Sequence, residues 1–355
     1  MRGITQPLWP VRYKPMPDEL LSSWLMRLAH GHGLKVQTFC NLIYGNKRQV
    51  WNRDIDRLGP AWLVESLASS TGVPLERAWG TTLRGFEGQL FRAFKPSGHL
   101  PWIQTLHMYH RKREGFGQQF CPLCLASSNT PYFRRSWRVS FKTVCLIHRV
   151  SMQDRCPSCQ RSVAFHRVEM GKADEARVPS MRHCHACAFD LAQSPTSPPS
   201  AFESPEALTW LCSLVGALDG APARSPDELD IDDLTVYRYL TSLMLSKRGA
   251  GMNTLTASEI GVEPINFPRG KRLSIEGLPL DQRHQLLMQA GWLMVDPSHR
   301  IVSAWQAKAI RYNQLIKDFD DMPGWYQRNV IDLIDRRPYT HLKPRTSGSA
   351  RVRAK

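Results

Sequence analysis

Four short Cys/His pairs crowd into residues 121–187 and constrain the chain more than any other feature. They are Cys121-Pro-Leu-Cys124, Cys145-Leu-Ile-His148, Cys156-Pro-Ser-Cys159 and Cys184-His-Ala-Cys187. A two-residue gap lets one tight turn aim two ligands at one metal, and two such turns complete the tetrahedron that zinc prefers. Sequential pairing predicts one site from Cys121, Cys124, Cys145 and His148. It predicts a second from Cys156, Cys159, Cys184 and Cys187. Interleaved pairing stays open as an alternative, because Cys156 follows His148 closely. Eight ligands saturate two tetrahedra and leave no position for water, so the expected cofactor is two structural Zn2+ ions with no catalytic metal. Buried free cysteines or a redox CxxC would account for one pair, not for four in a cluster. His166, His183 and His185 are weaker candidates and read as surface or supporting histidines. Cys40 and Cys212 sit on apolar helical stripes and read as core.

The nine cysteines fit a reducing compartment, where thiols bind metal rather than each other. No run approaches eighteen uninterrupted apolar residues, and the opening MRGITQPLWPVRYKPMPDELL lacks a signal-peptide core. The expectation is a cytoplasmic protein with no membrane partner, nucleoid-associated when active. The net charge of +16 is unevenly spread. Residues 1–150 carry 21 Lys+Arg against 8 Asp+Glu, residues 196–335 carry 13 against 18, and the last twenty carry 7 basic and no acidic residues. A basic first half and tail point to a polyanion, most simply DNA, although solvated charge alone would look the same.

Hydrophobic spacing predicts a mainly α fold with small zinc-ribbon β elements. The expected order is an N-terminal helix-turn-helix domain (1–115), a tandem zinc-finger region (116–193), a Pro/Ser-rich linker (194–204), a helical C-terminal domain (205–340) and a basic, disordered tail (341–355). Asp18 and Glu19 after Pro17 suit a helix start. Leu20, Leu21, Trp24, Leu25 and Leu28 then form one apolar face. After Gly31-His32-Gly33 a second stripe runs through Val36, Phe39, Cys40 and Ile43. A similar unit follows around Thr71-Gly72-Val73-Pro74. Such units read DNA in some proteins and are plain helical hairpins in others. Residues 80–120 read as a mixed connector.

The first zinc module is rich in Arg134, Arg135, Arg138, Lys142 and Arg149, interleaved with Tyr132, Phe133, Trp137 and Phe141. Upstream stands Arg111-Lys112-Arg113. Cations among aromatics suit phosphate contact, and equally suit a protein interface. These eight basic residues are the expected nucleic-acid or partner contacts. No GxxxxGK[ST], GxSxG or HExxH occurs, and the HxE…PCxxC deaminase pattern is absent. The expectation is therefore that the chain is not an enzyme.

The opening Trp9-Pro10 and the stretch Pro15-Met16-Pro17-Asp18-Glu19-Leu20-Leu21-Ser22-Ser23-Trp24-Leu25-Met26-Arg27-Leu28 resemble the N-terminus of TniQ proteins, of the TniQ/TnsD group of transposon target-selection factors. The resemblance continues through Ser70-Thr71-Gly72-Val73-Pro74, Phe120-Cys121-Pro-Leu-Cys124, Tyr132-Phe133-Arg134-Arg135-Ser136-Trp137-Arg138, Cys145-Leu-Ile-His148 and Cys156-Pro-Ser-Cys159. It covers roughly residues 9–190. Farther on, Gly291-Trp292-Leu293 is similar to longer members. The resemblance implies a non-catalytic transposition adaptor. Its expected partners are a TnsC-like AAA+ ATPase, an RNA-guided Cascade complex with its guide RNA in CRISPR-associated transposons, target DNA, and a second copy in a homodimer. The alternative it carries is a direct, sequence-specific DNA-binding protein of the TnsD type.

Overall fold

The computed structural model describes residues 8–45, 50–109, 112–113, 115–168, 180–220, 230–267, 273–319 and 321–333. Arg111 and the basic tail 341–355 lie outside the described residues. The described chain is mainly helical, with two antiparallel two-stranded pieces. No described helix is long and apolar enough to cross a membrane.

The first helix, α1 (Leu21–Gly31), is buried from Leu21 through Ala29. The apolar stripe accounts for one side of it. The other side holds Ser22, Ser23 and Arg27, and each has a partner, as buried polar groups require. The Ser22 amide and hydroxyl donate to Asp56 at 2.7 and 2.8 Å. Arg27 donates to both oxygens of Glu19, at 2.8 and 2.6 Å. The helix starts two residues later than the acidic pair predicts. Asp18 adopts a left-handed φ of 56° and Glu19 faces Arg134 in an isolated bridge. Their carboxylates hold Arg135 and Arg27 and do not cap the helix.

Then come α2 (Val36–Tyr44), α3 (Ile55–Leu58), α4 (Ala61–Thr71) and α5 (Leu75–Trp79). Asp54 caps α3 by accepting from the Arg57 amide. Gly72, at φ 67°, ends α4, where a side chain would be strained. Strands β1 (Met108–Tyr109) and β2 (Lys112–Arg113) pair with each other, α6 (Pro122–Ser127) follows, and β3 (Val144–Cys145) pairs with β4 (Val150–Ser151). The last part is helical: α7 (Pro205–Leu218), α8 (Ile231–Met244), α9 (Ala250–Glu259), α10 (Leu280–Val295), α11 (Pro297–Gln306), α12 (Tyr312–Ile316) and α13 (Gly324–Val330). Pro205 and Pro297 stand at the first turns of α7 and α11, where no backbone donor is lost. Gly291 of α10 faces Ala207 and Trp210 of α7.

Two apolar cores organise these elements, and each draws on distant sequence. One unites Trp9 and helices α1, α2 and α4 with residues from both Cys/His segments, among them Phe120, Phe133, Trp137, Phe165 and Leu191. The other unites the C-terminal helices with Leu83, Phe86, Leu90, Phe91, Leu100, Trp102, Ile103, Val139 and Phe141. The stretch that reads as a connector thus packs into the C-terminal core. Trp102 shows the reason: its indole N–H donates to the Leu234 carbonyl and its ring lies against Phe141 and Tyr237.

Candidate metal centres

Local backbone geometry builds each Cys/His turn. Cys121 caps α6, and its sulfur accepts the Cys124 amide at 3.5 Å. Cys145 ends β3, and His148 lies in the turn to β4. The other turns close with a residue in the left-handed region just after the second ligand: Arg149 at φ 54°, Gln160 at 58° and Ala188 at 57°. In two of them the same amide returns to the first ligand's carbonyl, Gln160 to Cys156 and Ala188 to Cys184, both at 2.9 Å. Short bridges clamp the turns: Phe120 with Gln153, Arg155 with Ser162, and His183 with Asp190.

The eight side chains gather in the sequential arrangement. Ligand atoms of Cys121, Cys124, Cys145 and His148 lie within 4.8 Å of one another, as do those of Cys156, Cys159, Cys184 and Cys187. In the first cluster the Cys124 and Cys145 sulfurs are 3.7 Å apart. His148 Nδ1 stands 3.6, 3.3 and 3.6 Å from the sulfurs of Cys121, Cys124 and Cys145. In the second, Cys156–Cys187 and Cys159–Cys184 are each 3.6 Å. Zn–S bonds of about 2.3 Å place two sulfurs of a tetrahedron about 3.8 Å apart, and a Zn–N bond of about 2.0 Å gives an S···N edge of about 3.5 Å. The observed edges match, so both donor sets fit a zinc ion, with Nδ1 as the His148 ligand atom.

Burial pushes the Cys184 thiol up to about 12. Crowded thiols ionise together only when a cation offsets their charge. The clusters differ in shelter. All three cysteines of the first are buried, whereas in the second Cys187 is exposed and Cys159 is half-buried. His166, His183 and His185 stay outside both clusters. His166 is buried and stacks on Trp51 at 4.9 Å, and His183 Nδ1 accepts the Ser180 amide. Cys40 is a core thiol, which burial pushes up to about 12.

The basic residues expected at a nucleic-acid or partner surface fall into different places. Arg138 is fully buried, donating to Asp54 at 2.6 Å and lying 3.5 Å from Asp56. Lys142 is buried and paired with Asp219. Neither side chain can face a polyanion, because each is buried and already paired with a carboxylate. Arg135 is half-buried, 3.2 Å from Asp18 and over the Phe86 ring. Arg134 lies over the rings of Tyr132 and Trp137. Arg149 is exposed. Lys112 and Arg113 form β2.

Sequence reasoning missed the groups that join the metal region to the C-terminal helices. Buried Asp154, two positions before Cys156, accepts the Leu280 amide at 2.7 Å and so holds the first turn of α10. Buried Arg283 on α10 donates to Gln119 Oε1 at 2.8 Å, next to the first ligand pair. Neither residue sits in a local pattern that marks it, because its partner is more than a hundred positions away.

Residues 10–152 match the TniQ family model. The match spans the N-terminal helices, the connector and the whole of the first metal cluster. No curated protein matches the chain.

Proposed function

We propose that this chain, whose residues 10–152 belong to the TniQ family, is a target-selection adaptor for transposition that performs no catalysis itself. The family works in transposon target selection. In the finer reading, the chain links a target-site recogniser, either an RNA-guided Cascade complex or target DNA, to a TnsC-like AAA+ regulator. Two structural zinc ions and a homodimeric state belong to the same reading. The family match carries it, and the N-terminal helices it covers share one apolar core with the first metal cluster. Closed four-ligand sites support a scaffold role, since they offer no open coordination position. Co-purification with the AAA+ regulator and the recogniser from the same transposon tests the reading. A stable complex is expected, and failure to associate with either would overturn it.

A second reading, direct sequence-specific DNA binding, is favoured by α2. This helix exposes Gln37, Thr38 and Asn41 on one side, side chains able to bond base edges in a major groove. Footprinting on target DNA separates the readings. Protection of one sequence supports direct recognition, and uniform, salt-sensitive binding removes it.

A further inference from the structure

The C-terminal helices carry a basic patch that no part of the adaptor reading uses. Residues 196–335 hold 13 basic against 18 acidic residues, so this stretch of sequence is net negative. Against that background Lys247 and Arg248 stand just before α9, and Lys308 and Arg311 stand between α11 and α12. All four are exposed. The two segments are far apart in sequence and are held together in the fold. Gln314 is the hub. Its side chain donates to the Arg248 carbonyl at 3.2 Å and accepts the Arg311 amide at 3.0 Å. Its own carbonyl accepts the Tyr239 hydroxyl. A few residues away, Gly251 lies so close to Ala309 that a Cβ would come within 2.5 Å of the Ala309 carbonyl oxygen. A left-handed turn at Lys308, φ 60°, closes α11 beside this contact.

The stretches 247–254 and 307–314 contain no acidic residue. Among the described residues, none of the four cations makes an ion pair. The large exposed apolar side chains among the described residues lie elsewhere. A protein partner needs exposed apolar or aromatic anchors at the centre of its interface, and here the nearest aromatics, Trp305 and Tyr312, are partly buried against the core. A nucleic-acid backbone needs only positioned cations, with arginine forks suited to phosphate oxygens.

We propose that Lys247, Arg248, Lys308 and Arg311 form a contact site for the phosphate backbone of duplex DNA. The site is built from residues other than those of the N-terminal helices and the metal clusters. It does not depend on which protein partner the chain recruits. In function it would hold DNA against the C-terminal helices without reading sequence, since phosphate contacts position a protein and carry no base information.

The test uses the full chain loaded with zinc and a fluorescent duplex of arbitrary sequence, with binding followed by anisotropy over a range of KCl. Each phosphate contact contributes about 0.9 to the slope of log K against log salt. The variant K247Q/R248Q/K308Q/R311Q is expected to flatten that slope by about 2 to 4 relative to the unaltered protein. The half-variants K247Q/R248Q and K308Q/R311Q are each expected to flatten it by about 1 to 2. Melting temperature and zinc content are measured on all three, and the half-variants carry the test if the fourfold change impairs folding. Unchanged slopes in both half-variants overturn the site. So does loss of poly-glutamate binding with the DNA slope intact, which would mark a protein-binding patch. A protein that keeps its ATPase partner while showing no slope change overturns this proposal alone and leaves the adaptor reading standing.

Discussion

Arg138 donates to Asp54 at 2.6 Å with its whole guanidinium buried, and the same group lies 3.5 Å from Asp56. The pairing spans 84 positions in sequence. Asp56 also accepts the amide and hydroxyl of Ser22 on α1, and Asp54 caps α3. One arginine therefore ties the segment before β3 to two helices of the N-terminal core. Removing one partner of a buried ion pair leaves the other charged and uncompensated. Arg138→Ala is expected to lower stability by about 3–5 kcal/mol, read as a shift of the urea midpoint at saturating zinc. A shift below about 1 kcal/mol, within the range of exposed pairs, would show that the pair does not hold the core together.

The unequal shelter of the two clusters gives a kinetic expectation. A chelator reaches a metal through its accessible ligands, and Cys187 is exposed while every cysteine of the first cluster is buried. Zinc release to EDTA is expected in two phases of one equivalent each, the fast phase from the Cys156, Cys159, Cys184 and Cys187 set. Cys187→Ser should abolish the fast phase, and Cys124→Ser the slow one. Retention of two zinc equivalents by either variant in metal analysis would refute the ligand assignment. Loss of both ions from either single variant would show that the clusters fold as one unit.

The two Cys/His clusters were legible because their geometry is local. A two-residue spacing sets the turn, and Gln160 and Ala188 close theirs with a bond back to the first ligand's carbonyl. The stripe of Leu21, Trp24, Leu25 and Leu28 was legible for the same reason, since helical periodicity lies within one segment. Arg138 and Lys142 were not. An Arg/Trp-rich run reads alike whether it faces solvent or carboxylates, and their partners Asp54 and Asp219 lie 84 and 77 positions away. Nor was the placement of Trp102 and Phe141 in the C-terminal core, because which core an aromatic joins is a property of the tertiary fold.

Arg149 and Arg135 separate a surface role from a structural one. Arg149 is exposed where the Cys145–His148 turn closes, whereas Arg135 is anchored by Asp18 and Phe86. Arg149→Ala is expected to change stability by less than about 0.5 kcal/mol. The same substitution should weaken binding to a DNA duplex, with a reduced salt dependence. Arg135→Ala is expected to cost about 1 kcal/mol, through a half-exposed ion pair and lost packing on the ring. Denaturation and anisotropy on the two variants check this. The reverse assignment of effects would move the polyanion contact to Arg135.

His284 on α10 links three segments. Its Nδ1 lies 2.8 Å from the Thr143 hydroxyl and its Nε2 lies 2.9 Å from the Ser200 carbonyl. A carbonyl only accepts, so Nε2 carries the proton and Nδ1 accepts from Thr143, which satisfies the neutral ring. Burial lowers the His284 pKa below the ordinary 6.5. The unfolded chain therefore binds this proton more readily than the folded one in the window just below pH 6.5. Stability tied to His284 is fully present above that pH and declines as the medium is acidified through the window toward the folded pKa. Urea midpoints measured from about pH 7.5 to 5.5 at saturating zinc should fall more steeply for the unaltered protein than for His284→Gln, which has no titrating ring. Parallel curves for the two proteins would place the acid sensitivity elsewhere, with the ligand thiolates as the next groups to examine, because their metal is released as they protonate.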